Sequence, residues 1–288
     1  MRALATALLM WVALGAHARA QALGEDEERR TLVTADLAVG TRQWGGGFDP
    51  VEHAAELVPT LFARTRVVGL ELRPETAGAR VDIDLRARGF AGESVDGAMR
   101  ASPGNPELAA RVGGRLGEGW LWLRFGLTVP VSAALSWSIS RPRVERFAIA
   151  PGAGLDPQLV LTSTMGPSLA LVGSHRGDWH YVSFEFALSF AFPTSGPYGT
   201  TSAGHTGFVL ALHHWGVTLG LRVTGAGILQ AGIGRPGLLT AGLQPFLRYD
   251  FGAPFLELYG LWQIGEPYGI AAGSMITTLG CAMGVAIW

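Results

Sequence analysis

The sequence contains no lysine and a single cysteine, Cys281. One thiol excludes an internal disulfide, so no cystine framework staples a small fold. All 22 basic residues are arginines, set against 23 acidic ones, and the formal net charge is −1. A near-zero balance offers no electrostatic footprint for nucleic acid, and no nucleic-acid partner is expected. Fixed arginine forks do suit buried ion pairs. Long apolar runs are also scarce, although 48% of the residues are hydrophobic, and 41 glycines are poor material for long helices. A chain that is oily on average without oily runs must alternate.

Residues 119–140, "GWLWLRFGLTVPVSAALSWSIS", carry one charge and come close to a membrane-helix hydropathy profile. Their periodicity is two, however. Leu121, Leu123, Phe125, Leu127, Val129, Val131, Ala133, Leu135, Trp137 and Ile139 are apolar, whereas Arg124, Gly126, Thr128, Ser132, Ser136 and Ser138 stand between them. This pattern predicts one long strand, bent at Pro130, with an oily face and a small or polar face.

The same alternation recurs, and its parity flips across each tight connection. Val33, Leu37 and Val39 are followed by Phe62, Val68, Leu70 and Leu72, and after "RPETAG" by Val81, Ile83 and Leu85. Leu108, Ala110 and Val112 lie on even positions, and the 119–140 strand is odd after "GEG". Leu159, Leu161, Met165, Leu169 and Leu171 give way across "SHRGD" to Val182, Phe184, Phe186, Leu188, Phe190 and Phe192. Phe208, Leu210 and Leu212 give way across "HHWG" to Val217, Leu219 and Leu221, and Leu243, Leu247 and Tyr249 across "DFGA" to Leu256, Leu258 and Trp262. Such flips are the mark of hairpins with short turns.

Longer connections at 44–60, 90–106, 141–156, 193–204, 226–237 and 264–273 alternate with the short turns and are rich in Gly, Pro and Ser. The layout predicts an all-β fold, an antiparallel transmembrane barrel of about 12 strands with short periplasmic turns and longer outer loops. Two other architectures compete. A polytopic helical protein draws support from the uncharged segment 270–288, but polar residues at every second place and a mixture of charges elsewhere do not fit a lipid-facing helix. A soluble sandwich explains the alternation but must bury Phe184, Phe186, Leu188, Phe190 and Phe192 in one crowded core.

At the N-terminus, Arg2, an apolar run and "HARA" form a secretory leader over 1–20, with cleavage after Ala20 or Ala22. Residues 21–30 are expected as a short periplasmic segment and 31–288 as the barrel. Leader, hairpin series and the terminal aromatic Trp288 together resemble the Gram-negative outer-membrane β-barrel proteins. That resemblance implies an outer-membrane location, contact with outer-membrane lipid, and recognition of Trp288 by the barrel assembly machinery. Ala282, Gly284 and Ala286 on the same parity are smaller than that signal ordinarily carries.

The faces opposite the lipid collect Arg80, Asp82, Asp84, Arg86, Arg88, Arg111, Arg115, Arg124, Glu185, Arg222, Arg248 and Glu257 as candidate lumen or solute contacts. Two roles are open. They form a structural ion-pair network, or they line a pore for a small polar or anionic solute. Arg80, Arg86, Arg88, Arg111, Arg115 and Arg124 make a local cationic excess that is the first candidate for contact with such a solute. Trp44, Trp179, Trp215 and Trp262 near strand ends suit an aromatic girdle.

No catalytic residue is assigned, because Ser174 with His175 and Ser202 with His205 each lack an evident third member. Residues 51–58, "VEHAAELV", are expected as two helical turns in the first outer loop. Glu52, His53 and Glu56 there, and the adjacent histidines of "HHW", fall short of a metal site. No metal or cofactor is expected. A small passive pore is the leading function, a closed barrel presenting its outer loops to a partner the alternative, and a lipid hydrolase the third.

Overall fold

The computed structural model describes residues 31–43, 54–73, 79–93, 99–103, 105–130, 164–194, 199–230, 239–264 and 275–287. Among them lie β1 (Thr31–Gln43), β2 (Ala54–Arg73), β3 (Ala79–Glu93), β4 (Met99–Pro103), β5 (Glu107–Leu116), β6 (Gly119–Thr128), β7 (Thr164–Arg176), β8 (His180–Pro193), β9 (Thr201–His214), β10 (Val217–Gln230), β11 (Leu239–Asp250), β12 (Pro254–Ile264) and β13 (Met275–Ile287). They form one all-β antiparallel sheet. Consecutive strands pair as hairpins, β1 also pairs with β13, and β3 pairs with both β4 and β5.

Burial is reversed relative to a water-soluble domain. Phe186 is 51% exposed and Leu219 59%, while charged residues on the opposite positions of the same sheet are almost wholly buried. In β6 the odd residues Leu123, Phe125 and Leu127 are exposed, and the even residues Trp122, Arg124, Gly126 and Thr128 are buried. The parity switches in β8, where Glu185, Ala187 and Ser189 are buried and Phe186, Leu188 and Phe190 exposed. An apolar outer surface around a polar inner face is stable only against lipid.

The short connections fall where the parity flips require them. Trp215 (φ 48°) and Gly216 (φ 80°) form the two-residue link between β9 and β10, and two consecutive positive φ values match the right-handed twist of the flanking strands. Large inner rings sit over cross-strand glycines: Phe246 faces Gly220, and Tyr259 faces Gly280. A Cβ on Gly220 would lie 2.4 Å from the Phe246 ring, so these aromatic positions depend on glycine opposite them.

Several sequence expectations change. Residues 54–60 are strand, with Val58 opposite Ala38 and Glu56 opposite Gly40, so the expected helical turns do not form there. Pairing with β1 satisfies the backbone of this segment, which outweighs a weak local helical pattern. The hairpin at 90–106 also extends further: β3 runs to Glu93 and β4 pairs with its far end, from Gly89 opposite Pro103 to Glu93 opposite Met99. Asn105 and Pro106 separate β4 from β5, and the proline supplies no ladder donor. The first strand of the long apolar stretch ends at Thr128, before Pro130, and residues 131–163 lie outside the described residues. The uncharged 270–288 segment, the best support for a helical protein, contains strand β13. The leader and residues 21–30 lie outside the described residues.

Candidate functional site

The inner face brings ionised side chains from distant parts of the chain into two groups. On β3 and β5, Arg80 Nε donates to Asp82 Oδ1 at 2.7 Å, and Arg111 bridges Asp82 (3.0 Å) and Asp84 (3.1 Å). Arg86 pairs with Glu107, and Ser168 Oγ of β7 donates to the other oxygen of Glu107 at 2.5 Å. One strand further on, Arg124 Nη2 donates to Glu185 Oε1 at 2.7 Å, and His205 Nε2 lies 3.3 Å from the same oxygen. The second group spans β10–β12. Arg222 holds Glu257 with two bonds of 2.7 and 2.8 Å, and Arg248 grips Asp250 Oδ1 through Nε (3.0 Å) and Nη2 (2.8 Å).

Strand register explains this arrangement. Arg111 and Arg124 stand directly opposite one another on β5 and β6, a like-charge pairing that would be repulsive by itself. Each turns to carboxylates on its far side, Arg111 to β3 and Arg124 to β8. Aromatic faces complete the guanidinium surroundings: Arg222 lies 3.7 Å from the Phe246 ring centroid, Arg248 4.0 Å from that of Phe255 and Arg111 4.8 Å from that of Trp122.

The charges balance. Arg86, Arg111, Arg124, Arg222 and Arg248 are each no more than 4% exposed, as are Asp82, Asp84, Glu107, Glu185 and Glu257, five of each sign. Burying a guanidinium costs several kcal/mol in desolvation unless a carboxylate and further hydrogen bonds compensate it, and bidentate pairs such as Arg222 with Glu257 supply both. Each of these five buried arginines meets a carboxylate. Glu107 is the carboxylate that the sequence reading omitted.

Of the other candidates, Arg80 is partly exposed and Arg115 is exposed beside the β5–β6 turn rather than on the buried face. The side chain of Arg88 is outside the described residues. Trp179, Trp215 and Trp262 are exposed at strand ends, Trp215 at 88%, whereas Trp44 and Trp288 lie outside the described residues. Ser202 and His205 are both buried, and His205 faces Glu185. His175 lies at the β7 end, 4.0 Å from Glu118. Among the described residues no cluster of three or more His, Cys, Asp or Glu could hold a metal ion, and Glu52 and His53 are outside them.

The inward set was largely visible in strand parity. Glu107 shares the odd parity of Ala109 and Arg111, but it stands at the edge of a segment assigned to a loop. The sequence puts His205 near a strand end, and its odd position among the exposed even residues Thr206, Phe208 and Leu210 is the signal that places it inward.

No protein-family model matches the sequence, and no curated protein does. Among solved structures, an outer-membrane channel from Pseudomonas putida F1 is similar over 89% of this chain and 95% of that chain, with a TM-score of 0.55 at 10% identity. The NanC porin aligns over 86% of this chain and 98% of its own (TM-score 0.47, 6% identity). The CymD monoaromatic hydrocarbon channel aligns over 90% and 88% (TM-score 0.44, 9% identity). The fold is that of the outer-membrane β-barrel proteins, and its apolar face suits contact with lipid.

Proposed function

We propose that the chain closes into a twelve-stranded barrel and serves as a narrow passive channel for small polar solutes. Closure is supported by the strand pairings, which run in a cycle from β1 through β2, β3 and β5 to β13 and back to β1. In this count β4 is the outer continuation of β5, since both pair with β3. The short turns lie in the periplasm and the longer connections outside. Trp179, Trp215 and Trp262 mark the lipid interfaces, and Trp288 belongs to the signal read by the assembly machinery.

The observation that carries the channel reading is the ionised inner face. A dry core needs no buried arginine, whereas a polar lumen is maintained by charges of both signs. The similar Pseudomonas fold belongs to an outer-membrane channel, which agrees with this reading. Because the described charges balance, the lumen favours solutes without net charge over anions. A closed barrel that presents its outer loops to a partner is the second reading, favoured by the very low exposure of the ionised side chains. No catalytic arrangement recommends a lipid hydrolase.

Planar-bilayer recording separates the two leading readings. A channel gives small unitary conductance with weak ion selectivity, and Arg124→Ala shifts that selectivity toward cations by exposing Glu185. Folded, heat-modifiable wild type that carries no current would establish the closed barrel instead.

A further inference from the structure

Near the β5–β6 turn the inner face ends in a stack of rings. Trp120 and Trp122 share one face of β6, and their rings lie nearly parallel, 5.3 Å apart between centroids at an interplanar angle of 6°. Arg111 sits over Trp122, and a Cβ on Gly113, its cross-strand partner, would lie 2.7 Å from Trp122 Cε3, so this ring is closely held. Trp122 is 3% exposed, whereas Trp120, nearer the turn, is only partly buried. With one face on Trp122, the accessible part of Trp120 is its other face and rim.

Strand register places two polar side chains in the Trp120 row, Arg115 on β5 and Ser174 on β7. Arg115 has the inward parity of Arg111 but stands beyond the buried rows and is exposed, and Ser174 is partly exposed. Among the described residues neither side chain has an ion pair or a hydrogen bond. The five buried arginines each meet a carboxylate, and Arg115 does not. Glu118, on the same turn, is largely exposed and lies 4.0 Å from His175.

We propose that Trp120, Arg115 and Ser174 form a binding site for a small aromatic carboxylate at the turn-side end of the inner face. The ring extends the stack on Trp120, the carboxylate meets Arg115, and a polar substituent across the ring meets Ser174. Each group matches one part of the ligand: a guanidinium fork donates to both carboxylate oxygens, an indole face takes a flat ring, and a hydroxyl donates or accepts. β5 and β7 are two strand spacings apart, about 10 Å, a span that holds a para-substituted benzene ring with its two polar ends. An aliphatic carboxylate would leave the indole face unused, and a neutral aromatic would leave Arg115 without a counter-charge. Because Arg115 is exposed, its ion pair is weak and stacking supplies the larger share of the affinity. The site needs access to the turn-side end rather than conduction, so it goes beyond the channel reading and does not depend on it.

Saturation-transfer NMR on the full chain folded in detergent, with protein-free micelles as the baseline, tests the site. Benzoate should bind saturably and more tightly than either benzamide or cyclohexanecarboxylate, and para-hydroxybenzoate more tightly still. Trp120→Leu should weaken benzoate binding about tenfold and remove its advantage over cyclohexanecarboxylate. Arg115→Gln should weaken it about threefold and remove its advantage over benzamide. Ser174→Ala should remove the advantage of para-hydroxybenzoate over benzoate. Heat-modifiable migration verifies folding, and if Trp120→Leu does not fold, Arg115→Gln at its exposed position carries the comparison. Absence of saturable benzoate binding, or survival of the benzamide or cyclohexanecarboxylate preference in the matching variant, would overturn the site. Folded wild type that binds benzoate with these preferences but passes no current would uphold the site and end the channel reading.

Discussion

The two ionic groups on the inner face solve the same desolvation problem differently. Across β3–β9 the partners are shared: Asp82 serves Arg80 and Arg111, Glu185 serves Arg124 and His205, and Glu107 serves Arg86 and Ser168. Across β10–β12 the hold is bidentate, with Arg222 on both oxygens of Glu257 against the Phe246 ring, and Arg248 directly opposite Glu257 in register. A shared carboxylate retains one partner when another is lost. A bidentate pair concentrates two charge-assisted bonds in one partner, so removing that partner loses both at once.

The largest effect should come from breaking the bidentate pair. Glu257→Ala is expected to destabilise the folded protein by about 3–5 kcal/mol, the usual loss when one half of a buried pair is removed. Urea unfolding in detergent measures it, and simultaneous replacement of Arg222 by Met should recover much of the loss. A Glu257→Ala effect under 1 kcal/mol would remove the distinction between the two groups.

Next in size is Gly220→Leu, which forces a side chain into the Phe246 ring that backs Arg222. Overpacking of this kind costs about 1–3 kcal/mol. Because the shared group lies on other strands, the same measurement made in an Arg124→Met background should give an additive result.

Within the shared group, His205→Gln should cost about 0.5–1.5 kcal/mol, the range of one hydrogen bond, since Arg124 still holds Glu185. A loss as large as that of Glu257→Ala would mean that His205 is indispensable to the network. The smallest effect belongs to Arg80→Ala, within about 1 kcal/mol, because Arg80 is partly exposed and Arg111 keeps its hold on Asp82. Thermal migration shifts in parallel samples would rank these two.

Much of the fold was legible because a period of two assigns each residue to a face without knowledge of the strand's neighbours. Phe186 and Leu219 were read as outward and Glu185 and Arg222 as inward, and the described burial agrees at all four. The limits of strands were less legible. The helical pattern of 51–58 gave way to pairing with β1, and the connection at 90–106 proved to be mostly hairpin, because neighbouring backbone decides whether an ambiguous segment joins a ladder. In the site, Arg111, Arg115 and Arg124 lie close in sequence, but the carboxylates that Arg111 and Arg124 meet do not. Glu185 lies 61 residues from the arginine it neutralises.

The sequence by itself determined which side chains meet lipid and which turn inward, and where the chain reverses at its short turns. These follow from backbone geometry local to each strand. Only the tertiary structure decided which inward groups meet: β13 beside β1, Glu185 between Arg124 and His205, Glu257 on Arg222, and Ser168 on Glu107. Parity gives a side chain its direction, but the contact it makes depends on the register and stagger of strands far away in the chain, which no local pattern encodes.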